Sequence, residues 1–293
     1  MVRYIDEHRD TFGVEPICKV VEVAPSTYYS AKSRPLLARA LRDAVMMQVL
    51  MALWVANRKV YGAHKLWKAA RRAGHDVGRD RVARLMRQLA IRGVSRRQKV
   101  FTTRRDPDAW RAPDLVERNF TAAVPNRLWV TDLTYVPTRS GMAYVCFIVD
   151  AFSRMIVGWR VVTHMRTEMV LDALEMARRS RGAQRFIRLV THSDAGSQFT
   201  TVRFTERLDE IGARPSIGTV ADSYDNALAE TVNGLYKTEC VYGPDTNGWD
   251  DVDQLELATL SWVHWFNHKR LHSRRHTARR VRGRVLRCPT HRP

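Results

Sequence analysis

Long apolar runs are missing from this 293-residue chain: none approaches 18 residues, so no segment is expected to span a membrane. Cysteine is scarce. The four residues Cys18, Cys146, Cys240 and Cys288 lie far apart and form no CxxC pair. That excludes a disulfide framework or a zinc knuckle and suits a reducing cytosol. The stretch Met1–His8 carries charges where a secretory leader would be apolar, so no leader is expected. Acidic side chains are in deficit, 30 against 49 basic ones, and the net charge of +19 points to a polyanionic partner, nucleic acid before membrane.

The deficit is not uniform. Residues 1–60 carry net +3, residues 61–111 net +11, residues 112–257 net −5, and residues 258–293 net +10 with no acidic residue at all. Two basic segments therefore flank an acidic middle. Charge that served solubility alone would be spread; this segregation suits DNA-gripping arms around a unit that needs its carboxylates.

The first third reads as helices. Ala63, Leu66, Trp67 and Ala70 fall on one helical stripe, Gly74 supplies a stop, and Val82, Leu85, Met86 and Leu89 repeat the spacing. Arg79, Arg81, Arg84 and Arg87 lie largely off the second stripe and are the expected DNA contacts of a helix-turn-helix-like pair. An earlier stretch from Pro16 to Tyr29 suggests another small helical unit. Residues 1–93 are thus expected to form an all-α DNA-binding region, followed by a basic linker over 94–113. Beyond it strands are expected at Leu128–Val136, Ala143–Val149, Met155–Val162, Phe186–Thr191 and Arg214–Ile217. Helices are expected after a cap at Thr167, near Thr201–Gly212, at Asp225–Glu239 and at Asp251–His268. The order gives an α/β domain: a mixed sheet flanked by helices.

Three carboxylates stand out. Asp132 interrupts a strand, where aspartate is depleted; Asp194 sits in a small polar loop directly after a buried strand. Glu230 shares a helix face with Asn226, Asn233 and Lys237, while Leu228, Val232 and Leu235 share another. A carboxylate, two amides and a lysine on one face suit a metal ion beside a phosphate backbone. Mg²⁺ takes carboxylate oxygens, and two ions about 3.5–4 Å apart can serve both the attacking and the leaving oxygen of a displacement at phosphorus.

The motifs around these residues carry a resemblance. Asp132, Asp194 and Glu230 are separated by 61 and then 35 residues, with Lys237 seven beyond the glutamate. The segments Asn126–Tyr135, His192–Phe199, Ser223–Thr231, Trp265–Asn267 and Arg270–Ser273, with Tyr61-Gly62-Ala63 upstream, together resemble DDE transposases of the IS-three family of bacterial insertion sequences. The resemblance implies an RNase H-like core over 114–273, cleavage of element ends and transfer of the freed 3′-OH to target DNA. It implies two Mg²⁺ ions, replaceable by Mn²⁺, with Asp132 between them, Asp194 on one and Glu230 on the other, and Lys237 on DNA phosphate. His192 and Gln198 either shape that site or stabilise its turn. The implied partners are the terminal inverted repeats, the target DNA, further copies of the chain and an upstream helix-turn-helix protein joined by frameshifting. The implied place is the bacterial cytoplasm, on the nucleoid when bound.

The resemblance stops at Ser273. Residues 274–293 hold eight arginines and no Lys, Asp or Glu, with no apolar stripe, so a basic tail without fixed structure is expected. The rival reading is a chain that binds element DNA but has lost catalysis. A third, a nuclease of RNA–DNA hybrids, would not need the long basic helical arm.

Overall fold

Strand and helix positions follow the hydrophobic periodicity closely. The computed structural model describes residues 1–33, 38–95, 114–116, 120–194, 199, 201–217 and 227–272. Its contacts divide the chain into two units, Met1–Ala52 and Leu53–Pro293.

The first unit holds α1 (Val2–Phe12), α2 (Val14–Val20), α3 (Pro25–Ser33) and most of α4 (Ala38–Ala56). Ile5, Ile17, Cys18 and Tyr28 form its small core, and the Tyr28 hydroxyl donates to Asp6 at 2.8 Å. Pro25 opens α3, where its missing N–H removes no helical bond.

In the second unit α5 (Ala63–Arg72) and α6 (Arg79–Gln88) form the expected helical pair. Leu66 and Ala70 face Val82, Leu85 and Met86 inside it, and the Trp67 indole donates to the Val77 carbonyl in the turn. Gly74 has φ 90°, which only glycine adopts without strain, and ends the first helix. Of the expected linker, residues 96–113 lie outside the described residues.

The remainder is one five-stranded sheet in the order β3-β2-β1-β4-β5. β1 (Leu128–Thr138), β2 (Gly141–Asp150) and β3 (Ile156–Val162) run antiparallel, whereas β4 (Leu189–Ser193) and β5 (Ala213–Ile217) extend the sheet in parallel from β1. This is the mixed sheet flanked by helices that the sequence implies, in the strand order of an RNase H-like domain. One face is covered by α7 (Thr167–Ser180) and α8 (Val202–Glu210), which enclose Trp129, Ile148, Met169, Leu174, Phe204 and Leu208. α7 lies so close to β3 that a Cβ on Gly158 would sit 2.1 Å from the Ala173 carbonyl oxygen. The other face carries α9 (Ala227–Tyr236) and α10 (Val252–His268), tied to β2 through the rings of Phe147, Tyr236, Trp262 and Phe266.

Several boundaries differ from expectation by a residue or more. Thr167 is the first residue of its helix, and Arg166 occupies the cap. The fourth strand begins at Leu189 instead of Phe186, because Phe186 turns in to pack edge-on against Trp129. The expected helix Asp225–Glu239 starts, among described residues, at Ala227 and gives way to a π-helical turn over Lys237–Val241, where Tyr242 N–H donates to the Lys237 carbonyl at 2.8 Å.

Candidate active site

The parallel pairing of β1 with β4 runs from Leu128↔Val190 to Thr131↔Ser193 and goes no further. The next residues along the two strands are Asp132 and Asp194. They stand side by side where the strands part, the crevice in which open α/β sheets place their sites. β1 continues to Thr138 with its outer edge unpaired by β4. Asp194 is exposed at this edge, and Asp132 is half-buried.

Asp132 is held on both oxygens. The Leu133 N–H donates to Oδ1 and the Asn233 amide donates to Oδ2, each at 2.8 Å. Asn233 lies on α9 three residues after Glu230, so both occupy the helix face turned to Asp132. Burial pushes the Asp132 carboxyl up to about 8, with the Asp194 charge adding to the rise and Glu230 adding less. The two hydrogen bonds oppose the shift. The charges of Asp194 and Glu230 thus both bear on Asp132, whose hydrogen bonds come from neutral donors, the Leu133 N–H and the Asn233 amide. Oxygen-only donors under mutual repulsion have the chemistry a hard divalent cation takes. Among the described residues, no three His, Cys, Asp or Glu side chains converge closely enough to share one ion. The flanking stretches 195–198 and 218–226 lie outside the described residues.

The face of α9 differs from its expected one. Ala229, Val232, Asn233 and Tyr236 are buried, while Leu228 and Leu235 are only partly so. Tyr236 packs on Phe147, which stands opposite Asp132 in the sheet, and this seating turns Asn233 inward. Asn233 was expected on DNA; its amide is instead engaged with Asp132, and its Oδ1 is buried without a hydrogen bond. Lys237 opens the π turn, and its Nζ lies 4.8 Å from the centre of the Tyr135 ring, on the part of β1 beyond its pairing with β4. Asn226 and Gln198 lie outside the described residues.

His192 is wholly buried, and its Nδ1 is 2.9 Å from the Ser216 hydroxyl, which also accepts from Leu115 N–H. It ties β4 to β5 and to the chain entering the sheet. Trp129 is buried in the core and bonded to Asn126, as packing predicts. On α6, Arg79 and Arg87 are exposed and Arg81 and Arg84 half-exposed, around a buried stripe of Val82, Leu85 and Met86. The sequence reading missed the role of Asn233 toward Asp132. An amide at the position after the glutamate by one helical turn was its signal.

The chain matches family models described as an integrase core domain over residues 122–223 and 211–275, and an HTH-like domain over 40–99. It is 48% identical to the transposase assigned to insertion sequence element IS986/IS6110 of Mycobacterium tuberculosis, over 85% of this chain and 90% of that one. It is 28% identical to transposase InsF for insertion sequence IS3A of Escherichia coli, over 82% and 83% of the two chains. The catalytic core of HTLV-2 integrase in complex with magnesium aligns with 52% of this chain and 92% of that one, at 18% identity and a TM-score of 0.41. With its helical pair, its mixed sheet and this kinship, the chain belongs to the insertion-sequence transposases that carry an integrase core.

Proposed function

We propose that this transposase cuts DNA at the ends of its insertion element and joins the freed 3′-OH to a target phosphodiester, with Asp132, Asp194 and Glu230 as the metal-binding carboxylates. What supports the reading is the strand register, in which Thr131 pairs with Ser193 and Asp132 and Asp194 come next at the crevice, together with the place of Glu230 one helical turn before Asn233, which bonds Asp132. Both steps are displacements at phosphorus, first by water and then by the 3′-OH.

Mg²⁺, or Mn²⁺ in its place, would be held by the three carboxylates and would supply an activated oxygen nucleophile and relief of charge on the leaving oxygen. The chain's own groups prepare the site. Leu133 N–H and Asn233 fix the Asp132 carboxylate so that its remaining lone pairs face the crevice in one orientation. Lys237, beside the part of β1 beyond its pairing with β4, holds a backbone phosphate. Arg79, Arg81, Arg84 and Arg87 grip the duplex through the helical pair. The chain works as a homo-oligomer on the terminal inverted repeats and target DNA, joined to an upstream helix-turn-helix partner, in the bacterial cytoplasm at the nucleoid.

Asp132→Asn, Asp194→Asn and Glu230→Gln should each lower strand cleavage and strand transfer by orders of magnitude, because an amide lacks the charge that holds the ion. DNA binding in gel-shift assays should persist. Near-parental cleavage in Mg²⁺ by any one variant would remove that residue from the site. Parental chain that binds ends yet never cuts them would favour the binding-only reading.

A further inference from the structure

The motif Trp265-Phe266-Asn267 with Arg270-Leu271-His272 has no part in the chemistry above, yet its amide, its guanidinium and its imidazole each make a specific tie. Asn267 acts as a strand partner for the edge of the sheet: its Nδ2 donates to the Ile156 carbonyl at 2.8 Å and its Oδ1 accepts from Ile156 N–H at 2.9 Å. Arg270 reaches Glu239, with Nη2 2.6 Å from Oε1 and Nε 2.8 Å from Oε2. Both partners are buried, at 7% and 4% exposure, and the guanidinium lies 5.4 Å from the Phe266 ring centre. The next residue, Leu271, donates its N–H to the hydroxyl of Tyr61 at 2.7 Å, and Tyr61 stands buried at the entry to α5. Glu239 is the middle residue of the π turn that Lys237 opens.

A buried ion pair adds little net stability over a well-packed apolar pair. What it adds is geometry, because a forked arginine holds a carboxylate at fixed angles. The π turn needs that. It carries one residue more than α-helical winding, and such turns are rare and local. Relaxing it to an α-turn would rotate Lys237 relative to the chain after it by roughly 100°. We propose that the Arg270–Glu239 pair is a positioning device: anchored to the helical pair through Leu271 and Tyr61, it pins the π turn and thereby aims Lys237 at DNA phosphate. This rests on the reading of Lys237 as a phosphate contact.

The test uses the full chain and random-sequence duplex DNA. The double variant Arg270→Met/Glu239→Leu removes both charges and leaves no buried ion alone, so it should melt close to the parent. The slope of log binding constant against log salt is the readout. Lys237→Ala should make it shallower by about 0.9, one phosphate's share. The double variant should do the same, and adding Lys237→Ala to it should change nothing more. A double variant with parental slope, or effects that add, would overturn the positioning role. A parental slope in Lys237→Ala alone would instead sink the phosphate reading of Lys237, and the proposal with it. If the double variant melts early, Arg270→Lys, which keeps the charges and loses the fork, carries the same expectation and the same refutation.

Discussion

Asp132 meets two opposing demands. Its carboxylate must be ionised to bind a cation, yet burial and the neighbouring Asp194 push it up to about 8 from an ordinary value of 3.8. Between those values the folded chain keeps a proton that the unfolded chain has released. By linkage this group therefore makes folding less favourable as pH rises from about 4 to about 8. In chelator, the melting temperature of Asp132→Asn should fall less over that range than that of the parent. Equal slopes would assign the effect elsewhere. Mg²⁺ should raise the parent's melting temperature more at pH 8 than at pH 5, because the ionised form is the one that binds. Asn233→Ala should raise the Mg²⁺ needed for half-maximal cleavage by about 10–100-fold, the usual effect of losing a group that orients a metal ligand. Asn233→Asp should be worse, since it adds a fourth carboxylate. Unchanged metal dependence in both would mean that the Asn233 hydrogen bond is incidental to the site. Asp132 stood out in the sequence as a candidate because an aspartate inside an apolar strand is out of place. Asn233 was not, because a polar residue on an amphipathic helix looks solvated until the seating of the helix is known.

Two contacts between elements are open to test. Gly158 on β3 lets α7 approach until a Cβ would overlap the Ala173 carbonyl and touch Ala177. Gly158→Ala must push the helix off the sheet and should cost about 1–3 kcal/mol or more, read by urea unfolding. A neutral result would mean that α7 shifts freely. On α6 the buried stripe leaves the arginines outward. Arg81→Gln and Arg84→Gln should each flatten the salt dependence of DNA binding by about 0.9 while leaving cleavage of pre-bound ends intact. If both variants keep the parental slope, the DNA lies on another face. The helical pair was legible because Leu66, Ala70, Val82, Leu85 and Met86 repeat at helical spacing and all are buried. The π turn was not: periodicity counts an inserted residue only as a fading pattern.

At the scale of the molecule, the charge blocks of the sequence do not remain separate. Lys59 of the helical region bonds Asp245 at 2.5 Å, Arg58 bonds Ser261 at 3.2 Å, and Tyr61 receives Leu271 N–H. Tyr61→Phe leaves that buried N–H without a partner and should lower stability by about 1–3 kcal/mol. Thermal unfolding of the full chain measures it, and a change below a few tenths of a kcal/mol would show that the tie is dispensable.

Sequence alone determined most of the elements and the make-up of the sheet and singled out three candidate carboxylates, because those follow from local periodicity, from residues misplaced in their surroundings, and from motif spacing. It also determined that the partner is polyanionic, since net charge needs no coordinates. Only the tertiary structure decided that Asp132 and Asp194 adjoin, because strand register is a long-range choice that no stretch of chain encodes by itself. It likewise decided that Asn233 faces inward and that Glu239 pairs with Arg270 across 31 positions. In each case the partner is distant along the chain: pairing of β1 with β4 joins the two aspartates, and packing of α9 and α10 on the sheet joins the other pairs.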